Sequence, residues 1–426
     1  MAKYYISAHF DNSFFHLMHD YQELNVFEPL ELSEKALIRL LDSKDYEALS
    51  INAPYKRLAY QYCDVMSRNA QKIKAVDMIV MRDNARWGYN TDYAAIHYLF
   101  KYHHLDLVDK KVLIFGKGAS GTAAGLVVSE FGGNPIFVSN SENSDAISYE
   151  ECLIKHLDAK IAINACSVGN PPNIDFTPID LKQFKALEWV IDFNANPIIS
   201  RFILQAHYQN ISYIIGLELL AVKCAIVSQL VLGHEFIDAG LDACLEKMLY
   251  NAGNIVLIGM PSSGKTTLGH LLALKLNKNF VDMDEMIVQD AQKSIAEIFA
   301  DEGEGGFRKR ESDSAKHAAG FTNTVIATGG GAVKNPQNMD YLSQNGIIIF
   351  IDRNLDKLIQ KDASRPLLNK DGAIEKLYHE RIGIYRECAD MIIENNGDIM
   401  DTLDRILIAY REGIKQRFIN IKEKKQ

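Results

Sequence analysis

The chain is 426 residues long, and at about 150 residues per domain that length implies two or three units rather than one core. It is 47% apolar and 24% charged, as in a soluble globular protein, and a net charge of -9 argues against a nucleic-acid partner, which favours a basic surface. No apolar run is long enough to span a bilayer, and His9, Asp11 and Asn12 break the start where a signal peptide would be apolar, so no membrane partner and a cytoplasmic location are expected.

The first expected unit is an α/β lobe over 1–105, with strands near Ala2–Ala8, Ala48–Asn52 and Val76–Met81. It carries two polar motifs, Asn52-Ala-Pro-Tyr-Lys56 and Trp87-Gly-Tyr-Asn90-Thr-Asp92. A lysine and an aspartate brought together across a cleft suit proton transfer, although either alone is more often a solvated charge. The next unit, 106–216, opens with the apolar run Lys111–Phe115 and the turn Gly116-Lys-Gly118-Ala119-Ser120-Gly121. A G-x-G-x-x-G turn between a strand and a helix lets backbone approach a pyrophosphate at a helix N-terminus, the fingerprint of a dinucleotide site. Its second strand, Ile136–Ser139, ends at Asn140-Ser141-Glu142, where an acid favours a free ribose 2′-hydroxyl. From Gly216 to about Gly253, Leu219, Leu220, Val222, Ile226 and Leu230 form an apolar face that predicts helix, interrupted at Gly240 and ending in a linker, Asn251-Ala-Gly253. The six cysteines are scattered, without metal-ligand spacing, and read as reduced, mostly buried thiols.

The third unit, 254–415, repeats the opening: the strand Asn254–Ile258, then Gly259-Met-Pro-Ser262-Ser263-Gly264-Lys265-Thr266-Thr267. This is G-x-x-x-x-G-K-[ST], whose backbone N–H groups curl around phosphates while the lysine reaches the β- and γ-phosphates and the Thr266 hydroxyl meets Mg2+. ATP or GTP binding follows. Phe280-Val-Asp282-Met-Asp284 sits where a second strand would end, and alternation predicts both carboxylates on one side of it. Asp282 is placed to hold Mg2+ through water, and Asp284 to accept a proton from an acceptor hydroxyl. Downstream, in order, stand Gly303-Glu-Gly-Gly-Phe-Arg308-Lys-Arg-Glu311, Thr328-Gly329-Gly330-Gly331, Arg365-Pro-Leu-Leu368 and Arg381-Ile-Gly-Ile-Tyr385. The residues from Lys415 read as a solvated tail.

This ordered set resembles the shikimate kinases over Asn254 to about Leu407. The resemblance implies a nucleoside monophosphate kinase-like, parallel-sheet P-loop domain that phosphorylates shikimate with ATP and Mg2+. Asp284, Arg308, Arg381 and the backbone of Gly329, Gly330 and Gly331 would hold shikimate. Glu311 would orient Arg308, and Arg365 would close a lid over ATP, one shortened to Ile359–Ser364 in this chain. The first half resembles the shikimate dehydrogenases over Met1 to about Leu249, through the motifs above and Ile163-Asn-Ala-Cys-Ser-Val-Gly169. That implies an α/β substrate lobe, completed by helices of 217–250, beside a Rossmann domain. Lys56 and Asp92 would be the catalytic pair for reducing 3-dehydroshikimate. Ser13, Asn52, Asp77, Asn90 and Lys223 would line the substrate pocket. Gly116, Gly118, Ala119, Ser120, Gly121, Asn140, Ser141 and Gly216 would bind NADP(H) or NAD(H). The chain departs from that family at Asp11-Asn-Ser13, Asn52, Asp77, Ala195 and Lys223, and lacks its 2′-phosphate arginine. Two alternatives to a bifunctional enzyme therefore stand: a catalytically silent dehydrogenase-like module on an active kinase, and a relative acting on quinate or another hydroxy acid. A P-loop regulator or motor would leave Arg308, Arg381 and the triple glycine unexplained. Oligomeric state is not legible.

Overall fold

Among the described residues, mostly parallel strands form three sheets. The computed structural model describes residues 4–7, 27–30, 32–140, 145–233, 238–358 and 372–419. The chain divides into two compact units, Met1–Met248 and Leu249–Gln426.

In the first unit, β1 (Tyr4–Ser7), β2 (Phe27–Leu30), β3 (Ala48–Ile51), β4 (Val65–Met66), β5 (Met78–Arg82) and β6 (Ala85–Tyr89) form a sheet of order β2-β1-β3-β5-β6-β4. Only β5 runs against its neighbours. Its hairpin to β6 turns at Asp83 and Asn84, both at positive φ, the geometry that matches strand twist in a two-residue loop. A second sheet holds β7 (Lys111–Phe115), β8 (Asn134–Val138), β9 (Ile161–Asn164), β10 (Trp189–Asp192) and β11 (Ser212–Ile214), all parallel, in the order β11-β10-β9-β7-β8. The chain leaves β7 toward β8 and returns on the other side as β9, so a crevice opens at the carboxyl ends of β7 and β9.

The second unit is one parallel sheet of β12 (Asn254–Ile258), β13 (Asn279–Asp282), β14 (Thr324–Ala327), β15 (Gly346–Asp352) and β16 (Met391–Glu394), ordered β13-β14-β12-β15-β16. All five residues of β12 are buried, as expected of a strand covered on both faces. Lys278 and Tyr410 clamp the entry to this unit, donating to the carbonyls of Tyr250 and Gly253.

The α/β class and the two nucleotide-fold units match the sequence reading, while several local expectations need correction. The helical stretch breaks at Gly233, a left-handed C-cap at φ 74°, and Gly240 lies inside the helix Asp238–Ala252. Asn251 and Ala252 end that helix rather than form a linker. The tail from Lys415 continues as a packed turn to Ile419, with Phe418 buried and Arg417 paired to Asp390 at 2.7 Å. Of the six cysteines, Cys152 and Cys224 are buried and the other four half-buried. Among the described residues no helix is long and apolar enough to cross a membrane.

Candidate active sites

The second unit builds its site at one sheet edge. Parallel register pairs Leu257 of β12 with Ala327 of β14, and Ala327 with Asp282 of β13. The three chain segments that follow, Gly259–Gly264, Met283–Asp284 and Thr328–Gly331, therefore leave the sheet together. Gly259 (φ 150°), Ser262 (φ 64°) and Gly264 (φ 97°) bend the first into a loop that opens the helix Lys265–Leu276. Lys265 is only 8% exposed, and its Nζ donates to the carbonyls of Gly259 and Met260 at 2.9 and 3.0 Å. Thr266 Oγ1 donates to Asp282 Oδ2 at 2.9 Å, bringing a hydroxyl and a carboxylate oxygen to one point beside the loop. Hard oxygen donors of this kind fit Mg2+. Thr267 is exposed on the first turn, beside the loop.

Asp284 does not alternate with Asp282 along a strand. The strand ends at Asp282, whose side chain caps the helix Met283–Ala291 by accepting from Asp284 N–H at 2.9 Å. Asp284 thus reaches the edge from a first helical turn. The triple glycine is where side chains crowd the backbone. A Cβ on Gly329 would lie 2.6 Å from Asp284 Oδ1, and one on Gly331 only 2.1 Å from Arg308 Nη1. Arg308 and Glu311, three apart on the helix Ile295–Ala319, pair at 2.7 Å. Burial raises the Glu311 carboxyl, and Arg308 partly offsets that rise. From the helix Ala373–Cys388, Arg381 Nη1 and Tyr385 Oη both donate to Gly330 O, at 2.8 and 2.5 Å. Arg308 Nε, Arg381 Nε and Glu311 Oε1 are buried without a hydrogen-bond partner. Two guanidinium N–H groups and a carboxylate oxygen left so can meet, respectively, an acceptor and a donor of a polar ligand. Arg365 lies outside the described residues.

Sequence reading missed the far side of the phosphate loop. There Asn395 Nδ2 donates to Ser263 O at 2.8 Å and Arg353 Nη1 to Ser262 O at 3.3 Å. With Gly264, Thr267, Lys357 and Asn396 they line an open pocket of about 200 Å3. Polar residues directly after the apolar strands β15 and β16 were the available signal.

The first unit gathers Lys56, Asp77, Asp92 and Lys223 into a buried quartet. Lys56 opens the helix Lys56–Gln61, Asp77 precedes β5, Asp92 stands in the first turn of the helix Thr91–Tyr102, and Lys223 comes from the helix Gly216–Leu232. Lys56 Nζ contacts Asp92 Oδ2 and lies 3.6 Å from Asp77. Lys223 Nζ reaches Asp92 Oδ1 at 2.5 Å and Asp77 at 3.9 Å. Asp77 also accepts the N–H groups of Thr91 and Asp92, at 2.6 and 3.1 Å, and so caps that helix. Burial would raise the Asp92 carboxyl, but Lys223 and Lys56 overcome it and hold Asp92 well below the usual range. Burial and the neighbouring Asp92 charge push Asp77 up. Burial would lower Lys223, yet Asp92 and Asp77 raise it. Asn90 caps the same helix, accepting from Tyr93 N–H at 2.9 Å and donating to Ala75 O at 3.1 Å. Asn52 follows β3, one turn ahead of Lys56.

At the dinucleotide turn, Gly116 has φ 102°, and a Cβ on Gly121 would stand 2.1 Å from Gly116 O. Nothing lies within 4 Å of a Cβ on Gly118, which leaves backbone open to a ligand. Ala119 and Ser120 begin the helix Ala119–Glu130. Ser120 Oγ donates to Asp92 Oδ2 at 2.6 Å, so its side chain joins the quartet. Asn140 is exposed just past β8, and a Cβ on Gly216 would stand 2.1 Å from the Asn194 carbonyl oxygen. Ser13 and Ser141 lie outside the described residues. A second polar network, Asn164–Asp192–Ser200–Asn194, was not anticipated.

Comparison with known proteins accounts for both halves. The shikimate kinase family model matches residues 261–411. A shikimate kinase of Clostridium botulinum (strain Alaska E43 / Type E3) is 43% identical over 155 residues, 36% of this chain and 93% of that protein. The first half superposes on shikimate dehydrogenase 1 of Peptoclostridium difficile with TM-score 0.52 and 24% identity, covering 58% of this chain and 98% of that one. Shikimate 5-dehydrogenase of Thermus thermophilus, solved in complex with NADP(H) and shikimate, superposes with TM-score 0.51 and 20% identity, over 58% of this chain and 100% of that one. The chain belongs to the shikimate kinase family, and joins that ATP-using domain to one with the shikimate dehydrogenase fold.

Proposed function

We propose that the chain is bifunctional, its first half reducing 3-dehydroshikimate to shikimate and its second half phosphorylating that shikimate to shikimate 3-phosphate. In the second half Lys265 and the N–H groups of Gly259–Thr267 would cradle ATP phosphates, with Arg365 closing over them. Thr266 and Asp282 would hold Mg2+, whose charge offsets that of the phosphoryl oxygens. Asp284 would take the proton of the attacking hydroxyl, and the guanidiniums of Arg308 and Arg381 would receive the shikimate carboxylate.

In the first half a nicotinamide, NADP(H) or NAD(H), would supply the hydride. The turn Gly116–Gly121, with Asn140, Ser141 and Gly216, would hold it. Lys56 would give its proton to the substrate's ketone oxygen as that oxygen gains charge, while Asp92 keeps Lys56 charged and in place. Ser13, Asn52, Asn90 and Lys223 would orient the substrate, and Asp77 would hold the pair from behind.

The observation that carries the two-step reading is the contact of Lys56 with Asp92 beside Ser120 of the dinucleotide turn. It supports a proton donor adjacent to where a cofactor would dock. A silent first half is the second reading, favoured by the quartet's mutual neutralisation, which leaves no net charge to attract an anionic substrate. One assay separates them: the full chain with 3-dehydroshikimate, ATP, Mg2+ and either reduced nicotinamide. Nicotinamide oxidation followed by shikimate 3-phosphate is expected. Product from added shikimate but no oxidation with either cofactor would establish the silent module.

A further inference from the structure

A helix N-terminus greets a pyrophosphate with backbone N–H groups, which leaves the hydroxyl of Ser120 available for other work. Elsewhere on this helix hydroxyls bond locally: Thr122 Oγ1 donates to Gly118 O at 2.9 Å and Ser129 Oγ to Gly125 O at 3.0 Å. Ser120 Oγ instead leaves the helix for the substrate lobe, donating to Asp92 Oδ2 at 2.6 Å, and Lys56 Nζ lies 3.4 Å from it. We infer that Ser120 is a positioning residue for the Lys56–Asp92 proton-transfer pair, fastening that pair to the turn that receives the cofactor. The inference rests on the reductase reading above.

The arrangement around Asp92 explains why a third donor matters. Its Oδ1 is taken by Lys223 at 2.5 Å, and its Oδ2 is shared by Lys56 and Ser120. Asp77 competes for both lysines, at 3.6 and 3.9 Å. Two cations and two anions in mutual contact can exchange partners, and a carboxylate able to turn toward Lys223 would draw Lys56 away from the substrate. The Ser120 hydroxyl fixes Oδ2, and with it the ammonium. Because Ser120 also opens the cofactor helix, one residue sets the proton donor relative to the hydride donor, the relation on which concerted reduction depends.

The test uses the full chain bearing Ser120→Ala or Ser120→Thr. Reduction of 3-dehydroshikimate, NADPH affinity by fluorescence and phosphorylation of shikimate are measured together. Ser120→Ala is expected to lower kcat of reduction about tenfold, the worth of one hydrogen bond to a charged group. NADPH affinity should stay within about twofold, which also reports that the first half has folded. Ser120→Thr, keeping the hydroxyl, should recover most of kcat, and phosphorylation should be unchanged in both. Wild-type kcat in Ser120→Ala overturns the inference, as does a fall in NADPH affinity matching the fall in kcat, which would make Ser120 a cofactor contact only. If the wild-type chain itself oxidises neither nicotinamide, the reductase reading fails and this inference fails with it.

Discussion

The two halves each bury a lysine near a glycine-rich turn, Lys265 within one and Lys56 on a separate helix 3.4 Å from Ser120 of the other, and they partner its charge differently. Lys265 is held by the carbonyl oxygens of Gly259 and Met260, while Arg308 and Arg381 keep buried Nε groups without hydrogen bonds. Arg308 also pairs with Glu311 at 2.7 Å, so this cluster carries two guanidiniums beside one buried carboxylate. Lys56 is already matched by Asp92, and Lys223 by Asp92 and Asp77. On the proposed reading, one site would bind charge and the other would hold a protonation state. Lys265→Met should therefore abolish binding of charge without disturbing the fold. Phosphorylation of shikimate should fall by about three orders of magnitude, with nicotinamide oxidation by the same preparation unchanged. A parallel loss of both activities would break the comparison.

The converse substitution tests the other side. Lys223→Met leaves two buried carboxylates to one lysine, and breaking a buried ion pair costs about 3–5 kcal/mol. Both tryptophans, Trp87 and Trp189, lie in the first half, so denaturant unfolding followed by tryptophan fluorescence should show this loss. Adding Asp77→Asn should restore most of it, because the remaining pair is again neutral. No rescue would mean that Lys223 acts through packing alone. A smaller effect is expected where the second site crowds its backbone. Gly331→Ala would set a methyl 2.1 Å from Arg308 Nη1 and displace the guanidinium. Shikimate kcat/KM should drop about 30- to 100-fold through KM, with the KM for ATP nearly unchanged.

The same contrast governs what the sequence revealed. Phosphate-loop chemistry is local: Gly259, Gly264, Lys265 and Thr266 lie within one turn, so spacing alone located them. The residues proposed for the acceptor site stand in ordered motifs, although their geometry was not legible. Asp284 was read as a strand residue because alternation cannot show that Asp282 would cap a helix and end the strand. The quartet in the first half comes from four separate elements, and its pairing depends on how they pack. Only the fold shows that Asp77 accepts the N–H groups of Thr91 and Asp92 as well as lying near both lysines. Ser120 was legible as a turn residue but not as a partner of Asp92, which lies across the fold.

The least of these effects comes from a carboxylate that neither mechanism uses. Asp192, at the end of β10, is fully buried, and that burial pushes its carboxyl up to about 6 from 3.8, even though Ser200, Asn194 and Asn164 donate to it. The folded protein thus binds this proton more tightly than the unfolded chain. Its contribution to stability is fully present below about pH 3.8 and is lost as pH rises through about 6. Asp192→Asn removes the titration while leaving an oxygen for the Asn164 and Asn194 donors and an amide that can donate to the Ser200 hydroxyl oxygen. Measured by tryptophan fluorescence between pH 4 and pH 7, the wild type should lose stability relative to Asp192→Asn by on the order of 2 kcal/mol. Phosphorylation in the other half should not respond to the substitution at either pH. An equal offset at both pH values would mean that Asp192 stays ionised in the fold. The first half would then hold buried negative charge through neutral donors alone, and the matched lysines of its active site would answer to catalysis rather than to the cost of burial.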